Sequence, residues 1–342
     1  MKRFLLLTII SGVLTCHVMA QSTCTQTLRT ARSTYDQGRL HELPVLLEGC
    51  LKNGFTQQER VEANKLLTLA YIYLEEPKKA DEAMLELLRT DHYFEINHAT
   101  DPAEFIALYR TFRTNPIYRL GAKIGANATQ PNVLESVEAN QGTSKYKYRI
   151  GVQFHITADI PLTNSLTLCP EIGIMQRSFK YENIVAEQDT TFISTVTEKQ
   201  SWASLPVSLH YQFNKFSFKP YIALGVQTDY LLNASLSAER IRQGFQSIQQ
   251  ETEDFKAQRQ KLNFSILAAA GARFKLGGGF VITEVRFYYG LTSISSKESA
   301  FQNNQLAFKY GYADSIFKIN SLSVTAGYVY NIFNPKKLRS RK

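Results

Sequence analysis

The chain has 342 residues, 44% of them hydrophobic, and 39 Lys and Arg against 30 Asp and Glu give it a formal net charge of +9. That length leaves room for two domains after a removable leader. A basic balance often points to nucleic acid, but the export signal described next excludes that partner.

Lys2 and Arg3 precede an apolar run from Phe4 to Leu14, followed by Val18-Met19-Ala20 with small residues where a signal peptidase reads. Residues 1–20 are therefore predicted to be a signal peptide. The run is too short to span a membrane as a helix, and no other stretch approaches the roughly 20 apolar residues required. Cys16 raises a lipoprotein alternative, but Leu14-Thr15 supplies no small residue before it.

Residues 21–115 read as a helical domain in the periplasm, with a helical apolar period and little glycine. Two helices, near 24–37 and 40–52, meet at Gly38. Thr56-Gln57-Gln58-Glu59 is a capping box opening a helix whose apolar side carries Val61, Leu66, Leu69, Ala70 and Tyr73. Pro77 opens the next, with Ala80, Ala83, Met84, Leu87 and Leu88 as its buried stripe, and Asp101-Pro102-Ala103-Glu104 starts another. The pairs recur at about 35 residues, Tyr35 and Gly38 being matched loosely by Tyr71 and Glu75. This resembles a degenerate tetratricopeptide (TPR-like) array, with a plain helical bundle as the alternative. Cys24 opens the first helix and Cys50 ends the second, so an antiparallel pair brings them together and export permits a disulfide. Its loop of roughly 25 residues is worth about 3 kcal/mol on the chain-entropy model.

Residues 116–335 read as eight two-sided strands, near 117–129, 146–161, 165–183, 193–213, 216–237, 260–276, 279–296 and 318–333. Leu322, Val324, Ala326, Tyr328, Tyr330 and Ile332 point one way, while Ser321, Ser323, Thr325, Gly327 and Asn331 point the other. Tight connections at Pro161–Ser165, Phe213–Phe216 and Gly277-Gly278-Gly279 alternate with longer ones at 130–145, 184–192, 238–259 and 297–317. An even-stranded meander of this kind is an outer-membrane barrel with its tight turns and both flanking segments in the periplasm. A soluble sandwich or lipocalin-like barrel alternates equally well. The leader weighs against that alternative, and so do the aromatic residues Tyr211, Phe213, Phe216, Phe218 and Tyr221 at one tight turn and Tyr328, Tyr330 and Phe333 near the end. The expected fold is α+β multidomain: an N-terminal helical bundle followed by an eight-stranded antiparallel transmembrane β-barrel.

Alternation places Arg119, Lys123, Arg149, His155, Asp159, Glu171, Arg177, His210, Asp229, Arg273, Glu284 and Arg286 in the barrel lumen. Unpaired charge out of water costs several kcal/mol per ion, so these groups are expected to pair and fill an interior only just wide enough for side chains. Cys169 reads as a small buried filler. Pro206 lacks a donor for the ladder and predicts a bulge. Residues 238–259 are expected to form a short extracellular helix, and the basic tail at 336–342 to lie solvated in the periplasm.

The stretches Leu205 to Phe213, Lys219 to Gly225, Tyr230-Leu231-Leu232 and Glu284 to Leu291 resemble the PorT-type outer-membrane β-barrel family of Bacteroidota. The resemblance covers about 117–334 and rests on strand ends and turns. It implies an eight-stranded barrel, mostly in members without an assigned role, a few being linked to protein secretion.

No HExxH, GxSxG, phosphate-binding glycine loop or CxxC occurs, so no catalytic residue, metal or cofactor is expected. The leading functional expectation is a non-enzymatic anchor: outer-membrane lipid holds the barrel, and residues 22–114 meet a periplasmic protein. A small-solute pore and a lipid-acting barrel enzyme are the competing classes.

Overall fold

The computed structural model describes residues 23–137, 143–187, 190–214, 216, 218–242, 248–296, 298 and 304–338. The predicted signal peptide, Cys16 and the last four tail residues lie outside these. Among the described residues no helix is long and apolar enough to cross a membrane, which says nothing about strands. The chain divides into two compact units, Met1–Pro116 with Phe333–Lys342, and Ile117–Ile332.

In the first unit, α1 (residues 23–36), α2 (Leu43–Lys52), α3 (Gln57–Tyr73), α4 (Pro77–Thr90) and α5 (Ala103–Tyr109) follow in order. The Thr56 hydroxyl accepts from the Glu59 amide while the Glu59 carboxylate accepts from the Thr56 amide, so two otherwise orphaned donors open α3. Helices α1 and α3 close alike. The amide of Arg39 donates to Thr34 O and that of Glu76 to Tyr71 O, each across a residue at positive φ, Gly38 or Glu75. Central α3 is buried on two sides. Ala63, Leu66, Leu67 and Ala70 pack with Leu28, Leu43 and Leu47, while Leu69 joins Met84, Leu87, Phe105 and Phe112. Cys24 and Cys50 are disulfide-bonded, their Cα atoms 5.6 Å apart. Asp101 does not cap α5, which starts from Pro102; its carboxylate pairs with Lys65 and accepts from the Asn97 amide.

The second unit is a closed ring of eight strands: β1 (Tyr118–Glu135), β2 (Thr143–Pro161), β3 (Leu166–Glu187), β4 (Thr190–Gln212), β5 (Lys219–Arg242), β7 (Leu262–Leu276), β8 (Gly279–Gly290) and β9 (Ile316–Ile332), all neighbours antiparallel, with β1 on β9 closing it. Closure joins the first and last strands of the ring, and β6 (Ile248–Asp254) pairs only with the upper part of β5. The amide of Ile117 donates to Ile332 O, so the chain enters and leaves the ring side by side. That rim also carries the turns between β2 and β3, β4 and β5, and β7 and β8.

Several boundaries differ from expectation. Strands β3 and β4 run on to Glu187 and Thr190, reducing the expected long connection at 184–192 to two residues. Thr191, Ile193, Thr195, Val196 and Thr197 suit a pleated ladder and extend it past the apolar belt. Among the described residues of 238–259 there is no helix of the expected kind; β5 continues to Arg242, β6 returns along it, and a 3-10 turn follows at Lys256–Gln258. Helix α6 (Asn304–Tyr310) lies instead in the β8–β9 connection. No bulge forms at Pro206. The β3–β4 ladder keeps its register from Pro170↔Val207 to Gly173↔Ser204, and on its other side Pro206 stands opposite Gln227 of β5 in an unshifted stretch.

The outer face carries the apolar alternates. Ile150, Val152, Phe154, Ile172, Ile174, Leu205, Ile222, Leu224, Val226, Ile266, Val285 and Val324 are all exposed. Exposed rings bound this belt: Tyr211, Phe213, Phe216, Phe218, Phe274, Tyr328 and Tyr330 near the tight turns, and Tyr230, Phe264 and Tyr289 toward the other end. From Phe218, just before β5, to Tyr230, or from Phe274 to Phe264 on β7, a strand tilted near 40° climbs roughly 25 to 30 Å, the height of a bilayer's apolar band. Only a lipid environment makes so large an apolar surface favourable.

Candidate functional site

The lumen is built by the inward alternates of all eight strands. Lys123, His155, Asp159, Glu171, Arg177, His210, Asp229, Arg273, Glu284 and Arg286 are each at most 4% exposed. Nearest the tight turns, Arg273 holds Asp159 at 2.9 Å, donates to Gln212 at 3.1 Å and lies 3.3 Å from His210 Nδ1. The His210 ring stacks on Tyr221 with centroids 4.7 Å apart. Above this layer, Lys123 Nζ lies 2.7 Å from Glu171 and 3.1 Å from Glu284. Arg286 closes that square, reaching Glu171 at 2.6 Å and Glu284 at 2.8 Å, while the Tyr221 hydroxyl donates to Glu284 at 2.7 Å. Higher still, Arg177 pairs with Asp229 at 2.9 Å and Asn263 donates to the same carboxylate at 3.0 Å.

Three charged members of this network escaped the sequence reading. Arg259 is fully buried between Glu198, at 2.7 Å, and Asp314, and Tyr312 donates to Asp314 at 3.0 Å. Glu198 lies inward because β4 extends so far, and Arg259 and Asp314 come from connections where strand alternation gives no signal. An aromatic plug surrounds these three charges. Phe179, Trp202, Phe255, Tyr310 and Phe317 are among the largest fully buried side chains, and Tyr181, Leu306 and Tyr312 pack beside them. The connection carrying α6 thus folds onto the inward faces of the extended strands.

Of the expected lumen charges, Arg119 stands on the inward face at the mouth of the lumen, opposite Asp159, and only Arg149 lies outside it. Arg119 is only half-buried at the tight-turn rim, donating to Asn331 at 3.0 Å and lying over Phe280. Arg149 is exposed on the outer face. A register shift between Arg149 and Gln153 inverts the alternation of β2, so Tyr146 packs inside against Phe179 and Phe317 while Arg149 reaches outward to Thr197 Oγ1 at 3.3 Å.

The buried histidines touch hydroxyls, His155 Nε2 to Ser204 and His210 Nε2 to Ser208, each at 2.9 Å. A base paired with a hydroxyl does chemistry only where a substrate can reach it. Both histidines are 1% exposed, and the acids near them are engaged by Arg or Lys. What the arrangement does is set each deeply buried Lys, Arg, Asp and Glu of the lumen against an opposite charge. Cys169, fully buried and 3.9 Å from Arg273, is part of that filling.

The helical unit offers an open site. A groove of about 370 Å³ is lined by Tyr71, Ile72, Pro77, Ala80, Ala107 and Leu108, with Glu75, Glu76, Asp81 and Glu104 around it. The end of the chain forms part of this unit. Phe333 stacks on His92 at 5.2 Å and meets Tyr93 edge-on at 5.0 Å, the amide of Arg113 donates to Lys336 O, that of Leu338 to Thr111 O, and Lys337 pairs with Asp81 at the groove. Through Leu338 the tail backbone is therefore docked while the side chains of Lys336, Lys337 and Leu338 stay exposed, and Phe333 belongs to the helical unit instead of the last strand.

The family model described as "Outer membrane protein beta-barrel domain" matches residues 116–296, just over half of the chain. No curated protein matches. Among solved structures, Neisserial surface protein A is 13% identical, with 62% of this chain and 97% of that one covered and a TM-score of 0.29. Outer membrane protein OprG from Pseudomonas aeruginosa is 12% identical, with 64% and 98% covered and a TM-score of 0.35. Outer membrane protein AlkL, solved in lipid bilayers, is 11% identical, with 70% and 99% covered and a TM-score of 0.36.

Proposed function

Because the chain belongs to the outer membrane protein beta-barrel domain family, we propose that its barrel is an anchor and that its helical unit is a periplasmic module that binds a protein partner. The observation that carries this proposal is the groove of about 370 Å³ in the helical unit, lined by apolar side chains and by four acids, one of them already paired with Lys337. An apolar concavity with a few polar groups is the usual form of a binding site. The acids select a partner segment that brings Lys or Arg beside an apolar side chain, and the Lys337–Asp81 pair shows that chemistry within the chain itself. The like closures at Gly38 and Glu75, 37 residues apart, support reading the unit as a degenerate tetratricopeptide-like array, a scaffold suited to peptides. The PorT-type resemblance supports a role in secretion or envelope assembly.

The barrel interior favours an anchor over a pore, since ion pairs and aromatic rings occupy the cross-section that a solute would need. A periplasmic helical unit is supported by the chain joining it at Pro116 and Phe333, next in sequence to strand ends on the tight-turn side, under the usual orientation of such barrels. The test is a photo-crosslinking residue at Ala107 or Leu108 in the native membrane, compared with one at exposed Val45. A partner captured from the groove positions and lost on Asp81→Lys supports the proposal. Identical capture from all three positions, or none from the groove, rejects it.

A further inference from the structure

Just above the apolar belt, three neighbouring strands present a concentrated basic patch on the outer face. The register places Lys145 opposite Glu182, Lys147 opposite Lys180, and Arg149 opposite Ser178, which in turn faces Lys199 on β4. The inverted alternation after the β2 bulge turns Lys145, Lys147 and Arg149 outward, and all three are exposed together with Lys199. The belt begins next to the patch at Ile150 on β2, below Gln176 at Ile174 on β3, and below Ser201 and Ala203 at Leu205 on β4.

The charges of the patch do not balance. Among the outward positions of these rungs stand five cations and a single acid, Glu182, which pairs with Lys147 and, at 2.8 Å, with Lys180. Like charges directly opposite on a sheet destabilise it, and Lys147 and Lys180 are such a pair. Among the described residues no acid partners Arg149 or Lys199. The patch is bounded by β5, where the next facing residues are Ser235, Ser237 and Glu239. Rungs spaced about 4.8 Å across and about 6.6 Å along the strands put the cations within reach of one or two phosphate groups. A side chain immediately above an apolar belt lies at headgroup depth.

We propose that Lys147, Arg149, Lys180 and Lys199 form a binding site for the phosphate of an anionic lipid, in the leaflet at the barrel end remote from the tight turns. Arg149 supplies a planar fork suited to two phosphate oxygens, and the lysines supply point charges around it. Acyl chains below the headgroup then lie against Ile150, Val152 and Ile174.

The test uses the full-length protein in phosphatidylcholine nanodiscs doped with phosphatidic acid or, as its phosphate-free match, diacylglycerol, with retained lipid counted by native mass spectrometry. Wild type should retain phosphatidic acid and not diacylglycerol. R149Q/K180Q/K199Q should weaken retention about fivefold per cation, on the order of a hundredfold in all, while K256Q/K261Q should leave it unchanged. Folding is checked by the shift in gel mobility on boiling; if the triple variant fails that check, K199Q alone should show the fivefold step. Inorganic phosphate at tens of millimolar should not displace the lipid. Equal retention by wild type and variant, equal retention of diacylglycerol, or displacement by inorganic phosphate would each overturn the site.

Discussion

Replacing Glu284 with Gln would remove one negative charge from a buried square that is otherwise balanced, Lys123 and Arg286 against Glu171 and Glu284. The amide can keep hydrogen bonds with Tyr221 and Thr325, now 2.7 and 3.0 Å from the carboxylate, so the change is mainly electrostatic. At an effective dielectric near 20 each lost ion pair, at about 3 Å, is worth roughly 5 kcal/mol gross. Relief of the carboxylate's own desolvation offsets several kcal/mol, leaving a net loss of about 3 to 5 kcal/mol, the usual effect of orphaning a buried charge. The chain has one tryptophan, and Trp202 is fully buried in the lumen, so its emission reports barrel unfolding alone. Urea titrations in lipid vesicles would compare wild type, Glu284→Gln and Lys123→Met/Glu284→Leu. The single variant should lose the full amount and the apolar pair should recover most of it, because no charge is then left unpaired. A loss below about 1 kcal/mol for Glu284→Gln would refute the claim that ion pairing holds the lumen together.

Other consequences are open to simpler assays. Replacing Cys24 and Cys50 with Ala should lower helical-unit stability by about 3 to 4 kcal/mol on the chain-entropy model, seen as an earlier far-UV transition with Trp202 emission unchanged. Glu75→Gly should stabilise the same unit by about 1 kcal/mol and Gly38→Ala should destabilise it similarly, since both positions require the left-handed region; effects of opposite sign would contradict the Schellman closures. Phe333→Ala, which empties the space beside His92 and Tyr93, should cost the helical unit about 2 kcal/mol and leave the barrel transition in place. Hydrogen bonds from Thr25 and the Thr56 amide hold the Glu59 carboxyl below the usual carboxylate range. Its contribution is therefore present above the unfolded value, near 4.3, and lost as pH falls through the lower folded value. Melts at pH 7 and pH 3 should show a larger drop for wild type than for Glu59→Gln.

The local chemistry of the chain was enough to reveal an outer-membrane barrel. A period of two, aromatic belts and turn residues recur along the strands, and each can be read without knowing which strands are neighbours. Helix starts at Thr56 and Pro77 were equally local. Helix and strand were confused at 238–259 because Arg, Gln and Glu favour helix until a partner strand supplies the hydrogen bonds, and β5 supplies them to β6.

Tertiary structure alone decided who pairs with whom. Arg286 meets Glu171 and Arg273 meets Asp159 across more than a hundred residues, because ring closure and strand stagger fix the inward levels. It also decided that one extra residue in β2 turns Arg149 from the lumen to the lipid face, and that Phe333 leaves the last strand for the helical unit. Alternation names a side chain's face only while the register is unbroken, and pairing depends on distances that no stretch of sequence contains.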